Sequence, residues 1–156
     1  MNVRQAWEQG REILNDLGLG GWSLGFDRAK QRAGACHQSK QIITLSEHYV
    51  RLNEWEEIRN TILHEAAHAL AGPGHGHDYA WRNECYKLGI SPDRCYDPKN
   101  VEMPKGNIIY ECPTHGEQHR GHRMPKRTYI CRKCKSKLTV YREGTRTRTE
   151  PYWAYR

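Results

Sequence analysis

Two histidines four residues apart, inside an apolar run, constrain this chain more than any other feature. Residues 61–70 read Thr-Ile-Leu-His-Glu-Ala-Ala-His-Ala-Leu, with apolar residues at helical spacing. On a helix, positions i and i+4 share a face, so His64 and His68 can direct their imidazoles at one zinc ion. Glu65 would lie beside a water that this zinc activates and could take its proton. The pattern predicts a zinc-assisted hydrolase, most often one that acts on peptide bonds.

A third zinc ligand is expected in the segment after this helix. Gly72, Pro73 and Gly74 end the helix, because glycine tolerates positive φ and proline cannot continue a helix. The next residues supply two candidate imidazoles, those of His75 and His77. Position 74 is glycine, which excludes the spacing H-E-x-x-H-x-x-G-x-x-H and with it the usual metzincin pattern.

The stretch from the first zinc histidine to Trp81 resembles the SprT-like metalloproteases, the family that includes Spartan. Its members carry H-E-x-x-H, a loop, and then a histidine followed at the fourth position by an aromatic residue. His77 with Trp81 fits this pattern, and so does His75 with Tyr79. The resemblance favours His77, because Trp81 leads into a segment similar to the family's next helix. His75 stays the alternative third ligand, because a glycine follows it as it usually follows the ligand in the family.

The residues before the zinc helix predict a small α+β unit. An amphipathic stretch over residues 6–17 is typical of an N-terminal helix. Residues 22–27 and 42–45 are β-prone runs, and a polar segment containing Gly34 separates them. We therefore expect one helix followed by strands in this part of the chain.

The start of the zinc helix has its own signal. Asn53 precedes Glu56 by three positions, which is a capping-box pattern. In the SprT-like family the part before this helix is a β-hairpin packed beside the active-site helix. The resemblance thus implies a zincin-like metalloprotease core over residues 1–98, made of an N-terminal helix, a β-hairpin, the H-E-x-x-H helix and a third-ligand helix.

A shift in charge marks a second domain. Residues 99–156 hold 14 Lys and Arg against 5 Asp and Glu, whereas residues 1–98 hold 11 against 13. The basic excess of the whole chain therefore lies in its C-terminal part. We assign residues 99–143 to a small β zinc-ribbon domain and residues 144–156 to a basic and aromatic tail.

Four residues of this part have the spacing of a zinc ribbon: Cys112, His115, Cys131 and Cys134. They form C-x2-H and C-x2-C knuckles 15 residues apart. Four ligands leave no position for substrate, so this zinc would be structural and the zinc of the histidine pair catalytic. His119 and His122 are competing ligands, but His115 gives the tighter knuckle. Short strands are expected over residues 108–111, 128–131 and 138–141.

The other cysteines and the N-terminus bear on the compartment. Cys36, Cys85 and Cys95 are more typical of packed thiols than of disulfides, ligands or nucleophiles. The sequence shows neither an apolar signal peptide nor an apolar run long enough for a membrane span. In such a chain, closely spaced cysteine knuckles favour metal binding over disulfide bonds. We expect a monomer in the cytoplasm of a bacterium or phage-infected host, associated with the nucleoid.

The basic part predicts a nucleic-acid partner. Lys and Arg that neutralise phosphates, interleaved with aromatic side chains that stack on bases, favour salt-dependent and sequence-neutral binding to single-stranded or structured DNA. A solubilising basic tail is the plainer interpretation of the same composition. The predicted DNA contacts are Arg120, Arg123, Lys126, Arg127, Arg132, Lys133, Lys135 and Lys137.

The resemblance to SprT-like proteins implies a function for the two parts together. Spartan and its relatives are associated with cleavage of proteins trapped covalently on DNA, so a zinc endopeptidase that acts on DNA-bound or DNA-crosslinked proteins is the expectation. A non-catalytic, zinc-containing DNA-binding adaptor is the alternative. A zinc hydrolase of small peptides or cell-wall fragments is a third hypothesis, which the basic ribbon disfavours.

Overall fold

The computed structural model describes residues 1–93 and 101–145 of a mixed α+β chain. The chain divides into two compact units, Met1–Pro104 and Lys105–Arg156, each with a three-stranded sheet. The predicted boundary between residues 98 and 99, Cys95, and the tail from residue 146 onward lie outside the described residues. None of the described helices has the length and hydrophobicity needed to cross a membrane.

The first unit begins with helix α1, Val3–Asp16, which lies where the amphipathic stretch predicts a helix. Its buried face carries Ala6, Gly10 and Leu14. A Cβ at Gly10 would lie 2.5 Å from the side chain of Leu24, so this glycine allows the helix to pack closely on the sheet.

The first sheet consists of β1, Ser23–Asp27, β2, Gly34–His37, and β3, Ile42–Ser46. Strand β3 is central, pairing in parallel with β1 and antiparallel with β2. Its side chains Ile43 and Leu45 are fully buried. The core of the unit therefore lies against the middle strand.

Strand β2 differs from the expectation drawn from the residues, which treated this segment as a polar connection. The hairpin that the resemblance implies is formed by β2 and β3, and β1 joins them as a parallel strand. Strand β2 is a short edge strand with no fully buried residue, and glycine and alanine occupy its first two positions. Such a segment lacks the apolar alternation and β-branched residues that reveal a strand in a sequence.

Three helices follow: α2, Glu47–Leu52, α3, Trp55–Ala71, and α4, Tyr79–Lys87. The predicted capping box at Asn53 is wrong, because Glu54 is the N-cap of α3 and no side chain caps its N-terminus. The buried Asn53 amide instead donates to the backbone carbonyls of Tyr49 and Glu102, each at 2.8 Å, and accepts the Glu102 N–H at 2.7 Å. Asn53 thus ties the segment near residue 102 to the helical part of its own unit.

The second unit contains β4, Ile108–Glu111, β5, Gln118–Gly121, and β6, Thr139–Arg142. They form an antiparallel sheet in the order β5-β4-β6. Strands β4 and β6 lie where short strands are expected, to within one residue. The strand expected over residues 128–131 is reduced to one bridge between Ile130 and Lys137. Strand β5 was not anticipated, because its residues are polar and almost wholly exposed.

Candidate functional site

Helix α3 carries the first two candidate ligands on a face next to the one that packs into the hydrophobic core. Ile58, Ile62 and Ala66 are fully buried in the hydrophobic core. His64 and His68 are one turn apart and partly buried. The helix is 17 residues long and packed along its length, so the core fixes the positions of both imidazoles.

The structure brings His77, and not His75, to this histidine pair. The Nε2 atom of His77 lies 3.2 Å from Nε2 of His64 and 3.3 Å from Nε2 of His68. His75 instead places its Nδ1 atom 2.8 Å from a carboxylate oxygen of Asp78. Asp78 is the N-cap of α4, so the start of this helix sets the position of the preceding His77.

His64, His68 and His77 form one group whose ligand atoms all lie within 4.8 Å of one another; we call it the histidine centre. In a tetrahedral zinc site, Zn–N distances of about 2.0–2.1 Å separate the ligand nitrogens by about 3.3 Å. Burial, followed by the neighbouring histidines, lowers the pKa of His64 to about 4, and burial and His77 do the same for His68. Both imidazoles are therefore neutral near pH 7, as metal ligation requires.

Trp81 supports all three rings of the histidine centre. Its ring centroid lies 4.9 Å from that of His64, 5.3 Å from that of His68 and 4.5 Å from that of His77. The Trp81 side chain is fully buried and packs with Ala67 and Cys85. The indole of Trp81 and the three imidazoles thus form one packed cluster, in which Trp81 limits the movement of the imidazoles.

Glu65 lies on the same helix, beside the edge strand β2. Burial raises the pKa of Glu65 to about 7, while the nearby Arg32 and the backbone N–H of Cys36 act in the opposite direction. Contact with β2 is close, since a Cβ at Gly34 would lie 3.0 Å from the Glu65 side chain. A carboxyl group with this pKa exchanges its proton readily near neutral pH.

A cleft of about 180 Å³ opens beside these residues, and Cys36, Gln38, Glu65, His68 and His75 line it. The side-chain amide of Gln38 donates to the backbone carbonyl of His68, which links the turn after β2 to the last turns of α3. Cys36 is half-buried, and burial and the Glu65 charge raise the pKa of its thiol to about 11. Sequence reasoning missed Gln38, for which the chain offers no motif.

The second unit gathers Cys112, His115, Cys131 and Cys134 into one group, which we call the ribbon centre. Cys112 Sγ lies 3.4 Å from His115 Nδ1 and 3.5 Å from Cys134 Sγ, and Cys131 Sγ lies 3.7 Å from His115 Nδ1. Tetrahedral zinc with sulfur and nitrogen ligands separates its donor atoms by about 3.5–3.8 Å. The hydroxyl and the backbone of Ser136 form hydrogen bonds that stabilise the Cys134 thiolate and lower the pKa of Cys134 to about 6. This favours the thiolate form, which is the form that zinc binds. This donor set is consistent with zinc.

The eight predicted DNA contacts are all exposed but differ in their partners. Arg120 binds the Glu143 carboxylate with two nitrogens, at 2.7 and 2.5 Å, and Lys133 pairs with Glu117. Among the described residues, no ion pair involves the other six, and their charges face solvent: Arg123, Lys126, Arg127, Arg132, Lys135 and Lys137.

The SprT-like family model matches residues 7–98, more than half of the chain. The chain belongs to the SprT-like family. The matched span contains the whole histidine centre together with Glu65 and Trp81. It ends before the ribbon centre, so the SprT-like part corresponds to the first unit.

Relatives named Protein SprT align with a larger share of the chain. Protein SprT of Pseudomonas paraeruginosa (strain DSM 24068 / PA7) is 27% identical over 137 residues, covering 80% of this chain and 83% of the relative. Protein SprT of Pseudomonas putida (strain GB-1) is 26% identical over 136 residues, covering 79% and 82%. No solved structure matches the chain.

Proposed function

We propose that this SprT-like protein is a zinc-dependent metalloendopeptidase that cleaves proteins bound or crosslinked to DNA. The observation that carries the proposal is the convergence of three imidazoles, one of which, that of His68, lines the same cleft as the buried carboxyl group of Glu65. Three protein ligands leave a coordination position open, as in catalytic zinc sites.

His64, His68 and His77 would hold the metal, and Glu65 would be the catalytic residue. Bound zinc polarises a carbonyl group and lowers the pKa of water to about 7. Glu65 would take a proton from the attacking water and return it to the amine that leaves when the peptide bond breaks. Its burial supports this role, because a pKa of about 7 suits both the acceptance and the release of a proton near neutral pH.

The ribbon centre, by contrast, supports a structural role for the metal that it would hold. It offers four donors, three of them from cysteine, which closes a tetrahedral site. None of the groups that line the cleft of the first unit belongs to it. We therefore assign one catalytic and one structural zinc to the chain.

The DNA part of the proposal is supported by the charge of the ribbon unit. The six exposed cations defined above, which form no ion pair with the residues that the structure describes, accompany the half-exposed aromatic side chain of Tyr129. Neutralised phosphates release counterions, and this gives affinity without a need to read the base sequence. A protein that binds DNA in this way would work beside the nucleoid in the cytoplasm, and DNA would bring it to its protein substrates.

The test is cleavage of a DNA-binding protein by the full chain, with and without single-stranded DNA, and with Glu65→Gln as the control. We expect cleavage only when both DNA and Glu65 are present. Cleavage that is independent of DNA would remove the DNA part of the proposal. Zinc in the histidine centre without any cleavage would favour the non-catalytic DNA-binding adaptor.

A further inference from the structure

The loop between α3 and α4 contains a second histidine whose position the zinc site does not explain. His75 lies two residues before His77, yet it is not part of the histidine centre. It lines the same cleft as Glu65 and His68, and its side chain is 43% exposed. An imidazole on the wall of the cleft, but outside the metal ligands, is placed to contact whatever the cleft binds.

Asp78 fixes the orientation of the His75 ring. One Asp78 oxygen accepts from the Trp81 N–H at 3.2 Å, and the other lies 2.8 Å from His75 Nδ1. Both Asp78 oxygens thus act as hydrogen-bond acceptors, as those of a carboxylate do. The proton of a neutral His75 ring therefore sits on Nδ1, and Nε2 keeps its lone pair.

We propose that His75 is a substrate-binding residue whose Nε2 atom accepts a hydrogen bond from a backbone N–H of a peptide in the cleft. This inference rests on the proposed peptidase function and adds a contact that the zinc site and Glu65 do not supply. Of the other groups that line the cleft, the Gln38 amide donates to the His68 carbonyl and the Glu65 carboxylate accepts from the Cys36 N–H. His75 adds a fixed acceptor on the wall.

Two small zinc-binding inhibitors separate a peptide contact from a metal contact. Acetohydroxamate can reach only the metal and its immediate surroundings, whereas a tripeptide hydroxamate also places backbone N–H groups along the cleft. Their dissociation constants would be measured on the zinc-loaded full chain and on two variants. His75→Phe keeps a ring of similar size without nitrogen, and Asp78→Ser keeps a good N-cap for α4 but removes the carboxylate that orients His75.

His75→Phe is expected to weaken the tripeptide hydroxamate by about five- to tenfold, the effect of one lost hydrogen bond. It should leave both the affinity for acetohydroxamate and the zinc content unchanged. For Asp78→Ser we expect a smaller loss, about two- to threefold, because the nitrogen remains while its orientation is lost.

Unchanged binding of the tripeptide compound to His75→Phe would overturn the inference. Loss of zinc, or equal weakening of both inhibitors, would also overturn it, because His75 would then act on the metal. A wild-type chain that binds the tripeptide compound no better than acetohydroxamate would show that there is no peptide contact to assign. If the inhibitors behave as expected but the wild-type chain cleaves no protein, the proposed function fails while the contact stands.

Discussion

The histidine centre and the ribbon centre are both groups that could hold a metal ion, but their surroundings are very different. The first is held by α3 and by the loop before α4, and α3 packs Ile58, Ile62 and Ala66 into a hydrophobic core. The buried apolar side chains of the described ribbon unit are few, and two of them, Cys112 and Cys131, belong to the ribbon centre. In the first unit the fold positions the ligands, whereas in the second the metal would hold the fold together.

The two centres also differ in what surrounds the ligands. The histidine centre has three donors, a buried carboxyl group and a cleft, whereas the ribbon centre has four donors on two knuckles. The same ion would therefore be reactive in one unit and inert in the other. The number of ligands and the neighbouring base, rather than the metal, therefore separate a catalytic site from a structural one.

The largest effect is expected from replacing Cys131 and Cys134 together with serine. The ribbon unit should lose its zinc and its protection against amide hydrogen exchange, because its small core cannot stabilise it alone. The first unit should keep its own zinc and its protection, and DNA binding should weaken. Zinc analysis and hydrogen exchange on the purified variant measure this. Loss of both metals at once would show that the two units depend on each other.

Removal of the Asn53 amide should destabilise the first unit without touching either metal. Asn53→Ala leaves the backbone N–H and carbonyl of Glu102 without the Asn53 amide as their partner, at a cost of roughly 2–3 kcal/mol in the free energy of unfolding. Asn60→Ala, on an exposed position of α3, is the matched control and should cost almost nothing. Chemical denaturation of both variants gives the comparison, and equal stabilities would contradict the assigned role of Asn53.

Trp81→Phe should weaken the affinity of the histidine centre for zinc by about tenfold, since the smaller ring supports the three imidazoles less well. The affinity of the ribbon centre should stay unchanged. Competition with a chelating dye measures both affinities, and Trp7→Phe in α1 controls for a general effect of tryptophan loss. If the variant binds zinc as tightly as the wild type, Trp81 is only a core residue.

The smallest effect concerns the basic side chains of the ribbon unit. Arg127→Ala should make the plot of log affinity for DNA against log salt concentration less steep by about 1, because Arg127 forms no ion pair within the described part of the chain and its whole charge is lost. Arg120→Ala should change that slope by less than half as much, because Glu143 already neutralises Arg120. Binding isotherms at several salt concentrations test the pair, and equal changes would contradict the distinction between paired and unpaired cations.

Local spacing explains why much of the candidate site could be predicted from the sequence. The positions of His64, Glu65 and His68 follow from the geometry of one helical turn. The grouping of the ribbon-centre residues follows from the spacing within two short knuckles. These patterns need no knowledge of distant contacts. The resemblance to SprT-like proteins then favoured His77 through Trp81, and the structure brings His77 to the other two histidines.

The features that the sequence did not reveal depend on contacts between distant segments. Strand β2 forms by pairing with β3 at the edge of the sheet and lies beside Glu65, although its own residues favour no strand. Asn53 resembled an N-cap but is buried against a segment 49 residues further along the chain. The link between Gln38 and His68 likewise joins residues 30 positions apart. The pairing of His75 with Asp78 is local, and it depends on the conformation of the loop before α4.

The central claim is that the histidine centre is catalytic and that Glu65 is its base. The most direct test compares the rates at which the wild-type chain and Glu65→Gln cleave a DNA-binding protein in the presence of single-stranded DNA, at equal and verified zinc content. We predict that the variant keeps both zinc ions and loses at least about 100-fold in rate, as expected for removal of a general base. A variant that cleaves this protein at nearly the wild-type rate would remove Glu65 from the mechanism.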